Sequence, residues 1–111
     1  MKINFNEIPV QNLKNFKGGE KELNARMYSD ENNKIMSSYL VPGASIGMHQ
    51  HVGNSEIIYF LKGTATIIFN GEKLTFKAGE CHYCPEGSFH TMINESDENV
   101  EFFAVVPTHN C

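Results

Sequence analysis

The sequence has few of the features that mark nucleic-acid-binding or membrane-spanning proteins. Its nine lysines and arginines are scattered along 111 residues, and the formal net charge is −4, so the chain offers no basic surface for nucleic acid. The longest apolar runs, such as residues 57–61, are far shorter than the roughly 20 residues of a membrane span. Because the first residues also lack the apolar region of a signal peptide, we expect a cytoplasmic protein with no nucleic-acid or membrane partner.

Cysteines are scarce, and their number is odd. Three cysteines argue against a disulfide framework and fit a reducing compartment. Cys81 and Cys84 form a C-x-x-C pattern, but on a strand a separation of three places them on opposite faces, so joint chelation would require the strand to break. We favour ordinary packing for this pair, and we expect Cys111 to be a free, mobile thiol.

Helix signals are almost absent, and short strand-like runs take their place. The runs end at glycine, proline and asparagine, as in all-β domains: residues 23–28, 35–41, 57–61, 64–69, 73–76, 80–84, 90–93 and 100–106. Asn70-Gly71 joins two of them and predicts a type I′ hairpin turn, because both central residues of that turn need positive φ. The absence of repeats or linkers predicts one domain over residues 1–111, a sandwich or barrel with a polar lead segment at 1–21.

Two of the five histidines lie within three residues of each other. On a strand His49 and His51 would share one face. Glu56 lies an odd number of residues further on, but residues 52–55 contain turn formers, so a new strand can begin at Glu56 and return its carboxylate to the same interior. With His90, which follows another turn, three imidazoles and one carboxylate could converge. That donor set suits Mn, Fe, Co, Ni, Cu or Zn.

Residues 43–63 and 79–94 resemble the paired motifs of the cupin superfamily. The first segment has the motif residues at the required spacing, namely Gly43, His49, His51, Glu56 and Gly63. The second has Gly79, Pro85, Gly87, His90 and Asn94. The fifteen residues between the segments fit one hairpin, which is the short spacing of a compact single-domain cupin of the cupin 2 conserved-barrel type.

This resemblance implies both a fold and a metal site. The fold is a double-stranded β-helix, the jelly-roll barrel of cupins. The implied ligands of one divalent transition metal per chain are His49, His51, Glu56 and His90, while the motif glycines, Pro85 and Asn94 are implied as turn and scaffold positions. A cation would also offset the cost of burying a carboxylate among imidazoles, since an unpaired ionised group loses its hydration.

The resemblance leaves two classes of function open. The leading interpretation is a metal-dependent enzyme that acts on a small organic molecule as a dioxygenase, isomerase, lyase or decarboxylase. The alternative is a module that binds or senses a small molecule or sugar without turnover. The motifs are compatible with both functions. An assay for turnover with the right metal would distinguish the enzyme from the binding module.

Which side chains line the pocket also stays open. On the strand at 80–84, either Cys81 and Tyr83 or His82 and Cys84 face inward, and sequence parity does not decide. We expect His82 and His109 to be packed or surface histidines. The candidates for the cavity wall are Tyr39, Tyr59, Tyr83, Cys81, Cys84 and His82.

The run at 57–61 is apolar on both faces, which predicts a covered outer surface. If Glu56 points inward, Ile58 and Phe60 do so too, and Ile57, Tyr59 and Leu61 face out. The chain's own N-terminal apolar residues, a second subunit, or both together must cover them. Because small cupins resemble one another in pairing through a barrel face, we expect a homodimer with twofold symmetry.

Overall fold

The computed structural model describes residues 1–109, which form ten β-strands and no α-helix. The strands are β1 (Gln11–Lys14), β2 (Glu22–Ser29), β3 (Asn33–Leu40), β4 (Ser45–Gln50), β5 (Glu56–Lys62), β6 (Thr64–Phe69), β7 (Glu72–Lys77), β8 (Cys81–Cys84), β9 (Phe89–Ile93) and β10 (Val100–Pro107). Within these described residues no helix is both long and apolar enough to cross a membrane. The predicted all-β class is confirmed, and Cys111 lies outside the described residues.

The strands form two sheets whose neighbouring strands are all antiparallel. One sheet has six strands in the order β1-β2-β3-β10-β5-β8, and the other has four in the order β4-β9-β6-β7. Side chains from both sheets form one apolar cluster, in which Leu40, Phe60 and Phe102 are almost completely buried. Each such side chain contributes roughly 1.5–3 kcal/mol to stability. Two antiparallel sheets enclosing a shared interior make the jelly-roll architecture that the sequence predicted.

The hairpin between β6 and β7 has the predicted turn. Asn70 and Gly71 both have positive φ, 47° and 84°, and Phe69 pairs directly with Glu72 across the two-residue loop. The Asn-Gly pair is therefore placed where a type I′ turn needs it.

The N-terminal lead segment is more structured than its polar sequence indicates. It contains strand β1 and two 3₁₀ turns, Phe5–Glu7 and Phe16–Gly18. Strand β1 pairs along β2 with Leu13 opposite Leu23, and Leu13 packs against the core. No sequence signal marks this strand, because the edge of β2 supplies its hydrogen bonds and only one of its four residues faces the core.

The outer face of β5 is as the sequence predicted. Ile58 and Phe60 are buried, whereas Ile57, Tyr59 and Leu61 are 41%, 43% and 50% exposed. The N-terminal segment does not cover these three side chains within the described residues.

The N-terminal apolar residues pack elsewhere. The ring of Phe5 contacts that of Phe103 on β10, while Leu13 and Phe16 pack against the core. The exposed side chains of β5 therefore remain available to a partner.

We predict that Gly71→Val destabilises the protein. A Cβ at Gly71 would meet no atom within 4 Å, so the change adds no clash and isolates the strain of a β-branched residue at positive φ. That strain amounts to roughly 1–3 kcal/mol, and Tm in a thermal melt should fall by about 4 °C for each kcal/mol. Gly71→Asn is the matched control, because asparagine tolerates this conformation. An unchanged Tm for Gly71→Val would contradict the turn assignment.

Candidate metal centre

Four side chains converge at one point in the interior, and they are the four that the sequence predicted. The donor atoms of His49, His51, Glu56 and His90 all lie within 4.8 Å of one another. His90 Nε2 lies 3.0 Å from His51 Nε2 and 3.2 Å from His49 Nε2. Glu56 Oε1 lies 3.1 Å from His90 Nε2 and 3.2 Å from His51 Nε2. The arrangement is compact enough for one ion to contact all four.

A β-bulge in β4 turns the first two histidines inward. Ile46 pairs with Met92 and His49 pairs with His90, so three steps along β4 match two steps along β9. Ile46 points inward, and by simple alternation His49 would point outward. The extra residue reverses the alternation, which leaves Met48 half-exposed and places His49 opposite His90.

The strand structure is interrupted between His51 and Glu56, as predicted. Strand β4 ends at Gln50, and β5 begins at Glu56. The backbone of His51 is still held across the gap, because its N–H donates to Ser88 O and its carbonyl accepts from Gly87 N–H. The break allows Glu56 to face the same interior as the histidines, despite its odd spacing from them.

The hydrogen bonds of two imidazoles fix their tautomers. His49 Nδ1 lies 2.8 Å from Gly47 O, and His51 Nδ1 lies 2.7 Å from Asn54 Oδ1. Both partners are oxygens that can only accept, so Nδ1 of each ring carries the proton. In the neutral rings the Nε2 lone pairs of His49 and His51 are therefore free to bind a cation.

The charges around the cluster also favour a cation. Burial raises the pKa of Glu56, but hydrogen bonds from His51 and His90 outweigh it and hold the pKa at about 2. Burial likewise lowers the pKa of His51, but its contacts with Glu56 and Asn54 raise it above the ordinary 6.5. For His49, burial dominates and the pKa is lowered. If His51 and His90 lose the protons that they donate to Glu56, the ionised carboxylate faces imidazole lone pairs, and a metal ion can take the place of those protons. The residues present fit a transition metal.

Strand β8 resolves the question that sequence parity left open. Glu56 pairs with Cys84 and Ile58 with His82, so His82 and Cys84 share the inward face of β5. Both are buried, whereas Cys81 and Tyr83 are exposed. The two cysteines lie on opposite faces of an unbroken strand, so they cannot chelate one metal together.

His82 is packed, as expected, but it also has a polar partner that sequence reasoning missed. His82 Nε2 lies 3.0 Å from His90 Nδ1. Burial, reinforced by the charge of His90, lowers the pKa of His82 to about 4. Burial, with a smaller effect from Glu56, raises the pKa of the Cys84 thiol to about 11. Both groups are therefore neutral at pH 7.

A cleft of about 450 Å³ adjoins the cluster. Its lining combines apolar and polar side chains, contributed by Gln11, Leu13, Phe16, Lys17, Met27, Lys34, Met36, His49, Gln50, His51, Val52, Asn54, Glu56 and Val106. None of the six wall candidates from the sequence is among them. Tyr59, Tyr83 and Cys81 face outward, His82 and Cys84 lie behind the cluster, and Tyr39 lines a separate cleft. The N-terminal segment takes their place, which no strand pattern indicated.

A close backbone contact holds Lys17 at the cleft. A Cβ on Gly47 would overlap the carbonyl oxygen of Lys17, and one on Gly19 would overlap that of Ser45. The turn Phe16–Gly18 can therefore lie directly on β4. The Lys17 ammonium is close enough to His51 to oppose its protonation.

The comparisons with known proteins fit this geometry. The family model described as "Cupin domain" matches residues 37–106. The chain belongs to the cupin family. It is 33% identical to an oxalate-binding protein of Thermotoga maritima over 96% of this chain and 93% of that protein.

Solved structures show the same cupin barrel, so the predicted double-stranded β-helix is confirmed. A crystal structure of a predicted oxalate decarboxylase from Thermotoga maritima has a TM-score of 0.90 at 28% identity, covering 97% of this chain and 99% of that one. A sugar phosphate isomerase from Silicibacter pomeroyi has a TM-score of 0.78 at 16% identity, covering 96% of this cupin and 75% of that chain. At 16% identity the likeness concerns the fold alone.

The cupin motif residues outside the cluster have structural contacts. Gly43, Gly63, Gly79 and Gly87 each lie in a turn or bend between strands. Asn94 is completely buried, and its amide group donates to Leu40 O and Glu98 O. It thereby ties the end of β9 to the end of β3.

Proposed function

We propose that this cupin holds one divalent transition metal through His49, His51, Glu56 and His90, and binds a small carboxylate anion of the oxalate class in the adjoining cleft. The observation that carries the proposal is the convergence of four donors beside a cleft that is also lined by Lys17 and Lys34. The metal is one of Mn, Fe, Co, Ni, Cu or Zn.

The donor set supports the metal half of the proposal. Three imidazole nitrogens and a carboxylate oxygen suit first-row transition metals and leave further coordination positions open. When bound, the metal would supply a Lewis-acid centre for an oxygen ligand. The chain's own residues supply the rest: Gly47 O and Asn54 Oδ1 orient two imidazoles, and such partners of metal-ligating histidines strengthen binding.

The charge of the cleft supports the anion half. Lys17 and Lys34 line the cleft, and among its described lining residues Glu56 is the sole carboxylate. Glu56 is already engaged by His51 and His90. The cleft is therefore locally positive in a protein of net charge −4, and an anion is attracted to it. The relative at 33% identity is named for oxalate binding, which supports oxalate as the first ligand to test.

Enzymatic turnover is the second candidate function, and the position of Lys17 at the cleft wall favours it. An ammonium at the cleft wall is a proton donor, and loss of CO₂ from oxalate leaves a carbanion that must gain one proton to become formate. Incubating the metal-loaded protein with ¹³C-labelled oxalate separates the two functions by NMR. Accumulation of formate and CO₂ would make this cupin a decarboxylase, whereas oxalate that stays bound and unchanged would make it a binding module.

The thiols support a cytoplasmic location, which we also propose. Among the described residues, Cys81 is an exposed free thiol and Cys84 is a buried one. Thiols are kept reduced in the cytosol, whereas disulfides form and persist in oxidising compartments.

We further propose a homodimer that forms through the outer face of β5. Ile57, Tyr59 and Leu61 are exposed there, and Tyr83 lies beside Ile57 on β8. Neighbouring apolar side chains on one sheet face are typical of a protein interface. In a dimer with a twofold axis, this surface of one subunit would contact the same surface of the other subunit.

We predict that His51→Ala removes most of the bound metal. Purified without chelator, the unmutated protein should carry about one transition-metal ion per chain by elemental analysis. Metal binding should weaken as the pH is lowered, and the weakening should begin above pH 6.5. The reason is that the raised pKa of His51 lets protons compete with the metal. His109→Ala is the matched control, since His109 bonds Ser55 outside the cluster. No metal in the unmutated protein, together with no rise in Tm on adding Mn, Fe, Ni or Zn, would contradict the proposal.

We predict that Lys17→Gln weakens oxalate binding by the metal-loaded protein roughly tenfold or more, because a hydrogen bond to a charged group is lost. Isothermal titration calorimetry measures the change. Lys73→Gln is the control: it removes the same charge from an exposed lysine beside Glu95, and it should leave Kd unchanged. Equal Kd values for Lys17→Gln and the unmutated protein would exclude Lys17 from the anion site.

We predict that Leu61→Lys shifts the protein from dimer to monomer, because it places a charge in an apolar contact. Light scattering at micromolar concentration reports the mass. Met48→Lys, on the four-stranded sheet and equally half-exposed, should leave the mass unchanged. A monomer mass for the unmutated protein across a range of salt concentrations would rule out the dimer.

A further inference from the structure

His82 lies outside the four-donor cluster, at a position that the motif spacing leaves free. We propose that His82 is a positioning residue for His90: its Nε2 accepts a hydrogen bond from His90 Nδ1–H and so directs the Nε2 lone pair of His90 toward the metal. The inference rests on the metal binding proposed above and extends it from the ligands to the residue behind one of them.

The geometry places the two rings in direct contact. His82 Nε2 and His90 Nδ1 are 3.0 Å apart, and both side chains are about 3% exposed. In the described residues, His82 is the hydrogen-bond partner of His90 Nδ1. The rings of Phe69 and Phe76 pack against His82, each with its centroid 5.3 Å away. The apolar cage holds the His82 ring in place, and its Nε2 faces His90.

The partner of His90 differs in kind from the partners of the other two histidines. Gly47 O and Asn54 Oδ1 can only accept, so they permit one tautomer of His49 and of His51. An imidazole nitrogen can either donate or accept. His90 is therefore the one imidazole of the four-donor cluster whose tautomer can change without breaking its hydrogen bond or turning its partner's side chain.

Two arrangements of the same protons follow. In the first, His82 Nε2–H donates to His90 Nδ1, and His90 Nε2–H points at Glu56 Oε1, 3.1 Å away; this arrangement gives the carboxylate a hydrogen-bond donor without a metal. In the second, His90 Nδ1–H donates to His82 Nε2, and His82 carries its proton on Nδ1, which leaves His90 Nε2 free to bind. Each neutral ring carries one proton in both arrangements, so the exchange releases none.

A competing interpretation treats His82 as a ligand. His82, Cys84 and His90 offer donor atoms within 4.8 Å of one another. A second ion there would share His90 with the first and would require its Nδ1 to lose its proton. Stoichiometry separates this interpretation from the proposal, because a second site adds a second ion.

Zinc affinity tests the proposal, measured by competition with a chromophoric chelator. His82→Leu keeps an apolar side chain in the cage of Phe69 and Phe76 but removes the acceptor, and it should weaken zinc binding by about 10- to 100-fold. His82→Gln restores a polar partner and should recover much of the affinity. Cys84→Ala should leave both affinity and the stoichiometry of one unchanged. The thermal melts of the metal-free variants show that each is folded.

The second readout is ¹⁵N NMR of the histidine rings in the unmutated protein, which needs no variant to fold. Zinc-loaded protein should show His82 protonated at Nδ1, and metal-free protein should show it protonated at Nε2. Three results would each overturn the inference. The first is His82 protonated at Nε2 with zinc bound, and the second is equal zinc affinity for His82→Leu and the unmutated protein. The third is two zinc ions per chain that fall to one in Cys84→Ala. Unmutated protein that binds no zinc, manganese, iron or nickel would instead overturn the proposed function itself.

Discussion

The convergence of one buried carboxylate and three imidazoles at a single point in the interior is the constraint on which the rest of this structure depends. Glu56 is buried with its pKa held at about 2, and the oxygens bonded to Nδ1 of His49 and His51 place the lone pairs of the neutral rings on Nε2, beside that carboxylate. Such groups repel one another and lose hydration, so bringing them within about 3 Å costs free energy unless a cation joins them. The two sheets, with the apolar core between them, supply the rigidity that holds the donors together, and the bound ion would remove the repulsion.

Gly47 links the cluster to the cleft. It lies in the bulge that turns His49 inward, its carbonyl accepts from His49 Nδ1, and its missing Cβ lets the turn that carries Lys17 lie on β4. A side chain at this position would push Lys17 away from His51 and strain the bulge. The same residue therefore orients a metal donor and positions the charged wall of the cleft.

Much of this arrangement follows from the sequence because it depends on local signals. The Asn70-Gly71 turn is determined by the φ angles of two residues, and the break before Glu56 by turn residues between two strands. The inward direction of Ile58 and Phe60 then follows from alternation. These features need no knowledge of which strands become neighbours.

Features that depend on strand pairing could not be read from the sequence. Whether His82 or Tyr83 faces inward is decided by the register of β8 on β5, and the bulge in β4 is visible only against β9. Strand β1 forms because an edge of β2 is free, although its own residues show no alternation. Part of the cleft wall is missed for the same reason, since Gln11 and Leu13 line the cleft only through that pairing.

The central claim is that one ion lies among the three imidazoles and the carboxylate, and anomalous diffraction from crystals of the metal-loaded protein tests it most directly. Data collected at the absorption edge of the metal should give one anomalous peak per chain, within about 2.0–2.2 Å of the Nε2 atoms of His49, His51 and His90 and of a Glu56 oxygen. A peak between His82 and Cys84, or no peak in the interior of crystals soaked with manganese, iron, nickel and zinc in turn, would contradict it.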